Sequence, residues 1–252
     1  KAMNINSLFG GANTVEISKP EIPDAPEWNR LQVLNREKEL IGIYLSSHPL
    51  DDYKFVIKHF TTNQLYDLED LTALEGKEIT LAGLITTAKE NISKSGKPWG
   101  SFILEDYSST HEFRLFGRDY DTFLKFLRDG LFVLVKGNAQ ERFSFNRNND
   151  GKKDGPKDLE FKIKSISLLG NCRDEMVKCL TLSVPVNNVT SVFVDEVKEL
   201  AENNKGKIEL RLKLVDPEEN ISLQLFSRKY KVALNKVVED YIQSDDFKYS
   251  VN

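Results

Sequence analysis

EITLAGLITTA, the stretch from Glu78 to Ala88, is where the hydrophobic period of this chain changes. Ile79, Leu81, Gly83 and Ile85 fall on alternate positions, the two-residue repeat of a strand. Upstream the repeat is helical: Trp28, Leu31, Leu34, Ile41 and Leu45 recur at spacings of three and four. That pattern predicts a helix from Trp28 to Leu45, stopped by Ser46-Ser47-His48-Pro49 because the residue before proline avoids the α region. Asp51 or Asp52 is placed to cap a second helix through Tyr53, Val56, Ile57 and Phe60, and a third short segment spans Leu65 to Leu74.

Downstream of Ala88 the strand pattern repeats. WGSFILED (99–106) puts Phe102 and Leu104 on one face. HEFRLF (111–116) puts Phe113 and Leu115 on one face and Glu112, Arg114 and Phe116 on the other. Asp119 to Leu127 reads as a helix, and LFVLVKGNA (131–139) and LEFKIKSISLL (159–169) as two more strands. Three strands, a helix and two strands is the order of the OB-fold, a five-stranded Greek-key β-barrel. After it, CLTLSVPV (179–186) predicts a strand and Ser191 to Asn203 a helix. Strands at 207–215 and 220–226 flank the turn DPEEN, a helix runs from Tyr230 to about Ile242, and FKYSVN reads as a last strand. Leu225-Phe226-Ser227-Arg228-Lys229-Tyr230 echoes Leu115-Phe116-Gly117-Arg118-Asp119-Tyr120, as if both opened a helix.

The expected architecture is therefore multi-domain, α and β. It has a flexible lead-in (1–27), an N-terminal helical segment (28–76), an OB-fold β-barrel (77–170) and a small C-terminal α+β domain (171–252). At 252 residues and 40% hydrophobic, the chain can bury more than one core. It starts with Lys rather than Met and reads as a piece of something longer. Two cysteines, Cys172 and Cys179, are too few for a disulfide framework or a zinc site and fit a reducing cytoplasm, with a single bridge still open. No apolar run approaches the ~20 residues that span a bilayer, so no membrane partner is expected.

Convergent catalytic groups are not found. The three histidines, His48, His59 and His111, form no HExxH motif, and no P-loop, nucleophile elbow or GxGxxG follows a strand. Neither a cofactor nor a metal is implied. NRNNDGKKDGPK (146–157) imitates a calcium loop but ends on Lys157, where a bidentate Glu is required.

Binding chemistry is better represented. The net charge is −4, yet residues 77–170 hold 16 Lys and Arg against 13 Asp and Glu and form the only positive section. An OB barrel takes ligands on strands two and three, between the loops joining strands one to two and four to five. The first loop is KSGKPWG, with Lys94, Lys97 and Trp99; the second carries Arg142, Phe143 and Arg147. Arg114 and Phe116 should point outward between them, beside Ser101 and Ile103. Cations that follow phosphates and rings that stack on bases suit a single strand of nucleic acid. The competing reading is a protein-interaction OB-fold whose basic hairpins are merely solvated. In the lead-in, Leu8 and Phe9 of INSLFGG form an apolar pair suited to a partner's pocket, or an ordinary tail.

Three stretches taken together resemble a known family. REKELIGIYLSSHPLDDY (36–53), LAGLITTAKENISKSGKPWGSFILED (81–106) and LVKGNAQ (134–140) are similar to the C-terminal part of the bacterial DNA polymerase III alpha subunit. The resemblance covers about residues 28–170 and is weaker beyond. It implies that the OB domain binds single-stranded template DNA and that the following domain contacts the clamp-loader tau subunit. A Gln-x-x-Leu/Met-Phe peptide ahead of the EKEL block would bind the sliding clamp. Leu8 and Phe9 match the apolar end of that peptide, but Ile5 stands where the Gln would be. That departure weakens clamp binding or transfers its hydrogen bonds to Asn4 or Asn6. The polymerase carboxylates of the family lie far upstream, so the resemblance implies a non-catalytic piece of a DNA-directed DNA polymerase.

Overall fold

The computed structural model describes residues 25–142, 158–244 and 248–252. The chain divides into two compact units, Lys1–Leu45 and Ser46–Asn252. In the first, helix α1 spans Arg30–Ile41. Its N-terminus is closed reciprocally: the Asn29 side chain accepts from the Gln32 N–H and the Gln32 side chain accepts from the Asn29 N–H. The expected extension to Leu45 does not form. Gly42 takes a left-handed φ of 87° and its N–H returns to the Lys38 carbonyl, which ends the helix four residues early.

The second unit opens on a 3₁₀ turn, Pro49–Tyr53, followed by helix α2, Lys54–Phe60. Asp51 does not cap α2. Its carboxylate accepts from the His48 N–H at 2.9 Å while the His48 ring accepts from the Leu50 N–H, so the two residues close the 3₁₀ turn between them. Leu65–Glu69 and Leu71–Leu74 are two further 3₁₀ turns.

Five strands follow: β1 (Glu78–Ile92), β2 (Pro98–Glu105), β3 (Thr110–Phe116), β4 (Phe132–Glu141) and β5 (Leu159–Leu168). Helix α3 (Arg118–Phe123) and a 3₁₀ turn (Leu124–Phe126) lie between β3 and β4. The elements and their order are those of an OB-fold. All pairings are antiparallel, in the order β3-β2-β1-β4-β5. The expected five-stranded β-barrel is not closed: no ladder joins β3 to β5 among the described residues. Side chains fill that seam instead. The rings of Phe113 and Phe161 meet at 5.7 Å, and Lys162 of β5 pairs with Asp119 of α3. Phe161 also lies over Gly137, where any Cβ would come within 2.5 Å of its ring.

Inside the curved sheet, Ile79, Leu81 and Ile85 pack with Phe102, Leu104, Phe113 and Leu115, and Tyr120, Phe123 and Leu127 close one end. Each such fully buried apolar side chain contributes about 1.5–3 kcal/mol relative to exposure. A bulge between Ile85 and Thr87 then exchanges the faces of β1. Before it the odd-numbered residues point inward. After it Ala88 packs on the core, and Thr87, Lys89 and Asn91 lie on the outer face.

A second sheet has the order β8-β7-β6-β9, built from β6 (Cys179–Pro185), β7 (Lys205–Asp216), β8 (Ile221–Val232) and β9 (Lys248–Val251). Helix α4 (Leu169–Met176), which the sequence pattern did not announce, leads into it. Strands β6 and β7 are parallel and joined through helix α5 (Ser191–Asn203), whose first turn Thr190 caps. The helix expected from Tyr230 starts only at Lys236. Helix α6 is Lys236–Gln243, capped by Asn235, and Tyr230 sits in β8. Buried Val232 and half-buried Tyr230 alternate there with exposed Lys229 and Lys231, the two-residue period of a strand. The hexapeptide echo therefore fails at its third residue. Gly117 adopts a φ of 54° and lets the chain turn into α3, whereas Ser227 continues the strand.

Two apolar clusters tie this sheet to the first. Leu50 and Val56 pack with Ala82, Leu134, Leu169 and Cys172 on the outer side of β1 and β4. Phe55, from the opposite side of α2, enters the core of the second sheet beside Leu180, Leu182 and Ile208. Cys172 and Cys179 are both buried free thiols. Among the described residues, no helix is long and apolar enough to cross a membrane.

Candidate nucleic-acid interface

Strand alternation decides what β2 presents. Gly100 faces inward: a Cβ there would lie 2.3 Å from Leu127 Cδ1. Trp99 therefore faces outward and is half-buried. Its register partner on β3 is Phe116, and the two rings stack with centroids 5.4 Å apart at 21°. Phe116 is 59% exposed, although aromatic side chains of that size are usually covered. In register with Trp99 on the other side stands Asn91 of β1.

The next row places Lys89, Ser101 and Arg114 side by side across β1, β2 and β3, and the row beyond it Thr87, Ile103 and Glu112. Arg114 and Phe116 thus stand outside, beside Ser101 and Trp99. Arg114 is not a free cation. Its Nη2 donates to Glu112 Oε2 at 2.7 Å. That hydrogen bond, more than the charges of Arg114 and Lys89, holds the Glu112 carboxyl below the usual range. Lys89 has no ion pair among the described residues and is the cation that sequence reading missed on this face.

The hairpin that borders the stacked pair is tight. The Gly96 N–H donates to the Ser93 carbonyl at 2.9 Å, Gly96 has a φ of 78°, and the Ser93 N–H donates to the Lys97 carbonyl. This is a turn followed by a left-handed glycine, the usual close of a three-residue hairpin loop. The Ser93 hydroxyl accepts from the Lys97 N–H and contacts the Ser95 hydroxyl at 3.0 Å. With the backbone so fixed, the exposed side chains of Lys94 and Lys97 project from it with no ion pair among the described residues.

The second loop contributes less. Arg142 is exposed, its N–H donates to the Asp158 carbonyl, and its guanidinium lies 3.9 Å from Asp158 and 3.8 Å from Glu160. Phe143 and Arg147 lie outside the described residues, as do Leu8, Phe9 and the loop 146–157. The structure thus brings together Trp99, Phe116, Arg114, Lys94 and Lys97, adds Lys89 and Asn91, and leaves Arg142 among carboxylates.

The curved antiparallel sheet has the strand order of an OB-fold, and its outer side carries the stacked rings and lysines that have no ion pair among the described residues. Residues 79–169 match the family described as OB-fold nucleic acid binding domain. Residues 180–252 match the family described as DNA polymerase III alpha subunit, C-terminal domain. DNA polymerase III subunit alpha of Haemophilus influenzae is 28% identical over 207 residues, covering 82% of this chain and 17% of the relative. That of Pasteurella multocida is 27% identical over 175 residues, covering 69% and 14%. That of Saccharopolyspora erythraea is 30% identical over 149 residues, covering 56% and 12%. By family, then, the chain is similar to the C-terminal region of the DNA polymerase III alpha subunit, and it spans less than a fifth of the length of these relatives.

Proposed function

We propose that this chain is the non-catalytic C-terminal part of a replicative DNA polymerase and that its OB sheet holds single-stranded template DNA. The observation that carries this reading is the outward Trp99–Phe116 stack between the Lys94–Lys97 hairpin and the row Lys89–Arg114. Bases stack on the exposed ring, and the lysines follow the phosphates. In the same reading the second sheet and its helices contact the clamp-loader tau subunit, and Leu8 and Phe9 reach the sliding clamp. The parent chain is then the DNA-directed polymerase, acting in the cytoplasm.

A titration of the chain with fluorescent oligo-dT at two salt concentrations tests the nucleic-acid part. Phe116→Ala should weaken binding by about 1–3 kcal/mol, the worth of one stacked base, and leave the fold intact because the ring is exposed. Lys94→Ala with Lys97→Ala should lower the salt slope by about 1.4, for two lost phosphate contacts. Unchanged binding in both variants would sink the assignment. The alternative is an OB-fold protein-interaction module with little DNA affinity, and the Arg114–Glu112 pair, which spends one cation of the face internally, favours it. Clamp capture compared with and without Leu8→Ala plus Phe9→Ala separates the two readings.

A further inference from the structure

A cavity of about 1000 Å³ opens between α2, the ends of β6 and β7, the end of α6 and β9, away from the OB ligand face. Its floor is apolar, with Val184, Ile242 and the ring of Phe55. One wall is aromatic: the Phe55 and Tyr249 rings are near-parallel at 6.2 Å, and His59 contacts Phe55 at 4.6 Å. His59 Nε2 and the Tyr249 hydroxyl are 3.2 Å apart, which fixes both rings. Burial, aided by the charge of Lys58, depresses the His59 pKa, so the imidazole is neutral at pH 7. The rim carries Lys54, Lys58 and Lys248, and no carboxylate lines the cavity among the described residues. Lys54 reaches Asp51 at 3.1 Å, and Lys58 lies 5.7 Å over the Tyr249 ring.

We propose that this cavity is a second binding site and that it takes a nucleotide, base inward and phosphate on the lysine rim. A bare anion would leave the aromatic wall and apolar floor unused. A neutral apolar molecule would leave the ammonium groups of Lys58 and Lys248, which have no ion pair among the described residues, without a counter-charge. A nucleotide uses both features, and the volume is at the upper end of that usual for small-ligand sites. Lysine serves as a point charge for phosphate, so Lys58 and Lys248 on the rim suit a phosphate that is not held in one orientation. The nucleotide is either free or the end of a strand, and the two sources present the same base and phosphate to the cavity.

Calorimetric titration of the chain with dATP, deoxyadenosine, inorganic phosphate and (dT)12 tests the proposal. dATP should bind one to one, with deoxyadenosine and phosphate each about tenfold or more weaker, because each supplies half of the recognition. Lys58→Ala with Lys248→Ala should lower dATP affinity by about tenfold or more. Both lysines are exposed, so the variant keeps its melting temperature. Tyr249→Phe, which retains the ring, should bind nearly as the parent chain does. Lys94→Ala with Lys97→Ala, on the OB hairpin, should leave dATP binding unchanged. In that hairpin variant, displacement of dATP by (dT)12 assigns the site to a strand end, and its absence assigns it to free nucleotide; either supports the site. No dATP binding at millimolar concentration, phosphate binding as tight as dATP, or loss in the hairpin variant but not in the cavity variant would overturn it.

Discussion

Glu239 of α6 is buried beside Arg173 of α4. Arg173 Nη2 lies 2.7 Å from Glu239 Oε1, yet off the direction a hydrogen bond requires, and that oxygen has no hydrogen-bond partner among the described atoms. The ion pair is therefore an incomplete one, because a carboxylate oxygen out of water needs a directed donor. Burial raises the Glu239 pKa, against the opposing pull of Arg173 and Lys236. The sign follows. The folded chain holds this proton more tightly than the unfolded one, so the group's contribution is complete below the ordinary glutamate pKa of about 4.3 and is lost as pH rises through its raised value. Glu239→Gln should therefore gain stability relative to the parent chain as pH climbs from 4 to 8, read as the difference in melting temperature. A difference flat with pH would contradict the assignment. Arg173→Ala, which strands the carboxylate, should cost about 3–5 kcal/mol.

At the scale of elements, β1 and β2 set the ligand face. Gly100 allows β2 to lie against Tyr120 and Leu127. Gly100→Ala forces one of these side chains aside and should cost about 1–3 kcal/mol in urea denaturation, the usual penalty of overpacking. A loss below ~0.5 kcal/mol would show that the end of the core is soft. The strands of this sheet were legible from alternation, and so was the outward direction of Phe116 and Arg114. Lys89 and Asn91 were not. A continued two-residue repeat from Ile85 puts them inside, and only the bulge before Thr87 brings them out. A bulge depends on the partner strand's register, which sequence alone does not carry. Helix boundaries failed at Gly42 and Tyr230 for related reasons. A left-handed glycine ended α1 inside a still-apolar repeat, and a strand ran on through residues of mixed propensity.

Across the whole second unit, the open sheet was beyond sequence reading for another reason. Closure depends on β3 and β5, two edges separated by more than forty residues of chain, and here Phe113 and Phe161 occupy the seam that a ladder would fill. The joining of the sheets was equally hidden. Helix α2 reads as nearly two amphipathic turns, but Val56 serves the first sheet's outer cluster and Phe55 the second sheet's core. Phe55→Ala should therefore cost about 3–5 kcal/mol, as a large ring leaves a core. It should also let the second sheet melt ahead of the first, visible as two transitions by calorimetry where the parent chain has one. A loss under ~1 kcal/mol with one transition would show that Phe55 is not the tie.

Among the described residues strand β8 is an edge of its sheet with no strand beyond it, and it has two unlike halves. Ile221, Leu223, Leu225 and Phe226 are exposed in its first half, while the second carries Arg228, Lys229 and Lys231. The consequence is colloidal. An unpaired strand edge with apolar side chains is a template for another copy, and cations along it are what keep copies apart. Here the cations guard only one half, so two molecules meeting antiparallel through Ile221 to Phe226 send their like charges to opposite ends. Salt, which loosens a nucleic-acid grip, would leave such a pairing untouched and strip away the repulsion that limits its growth.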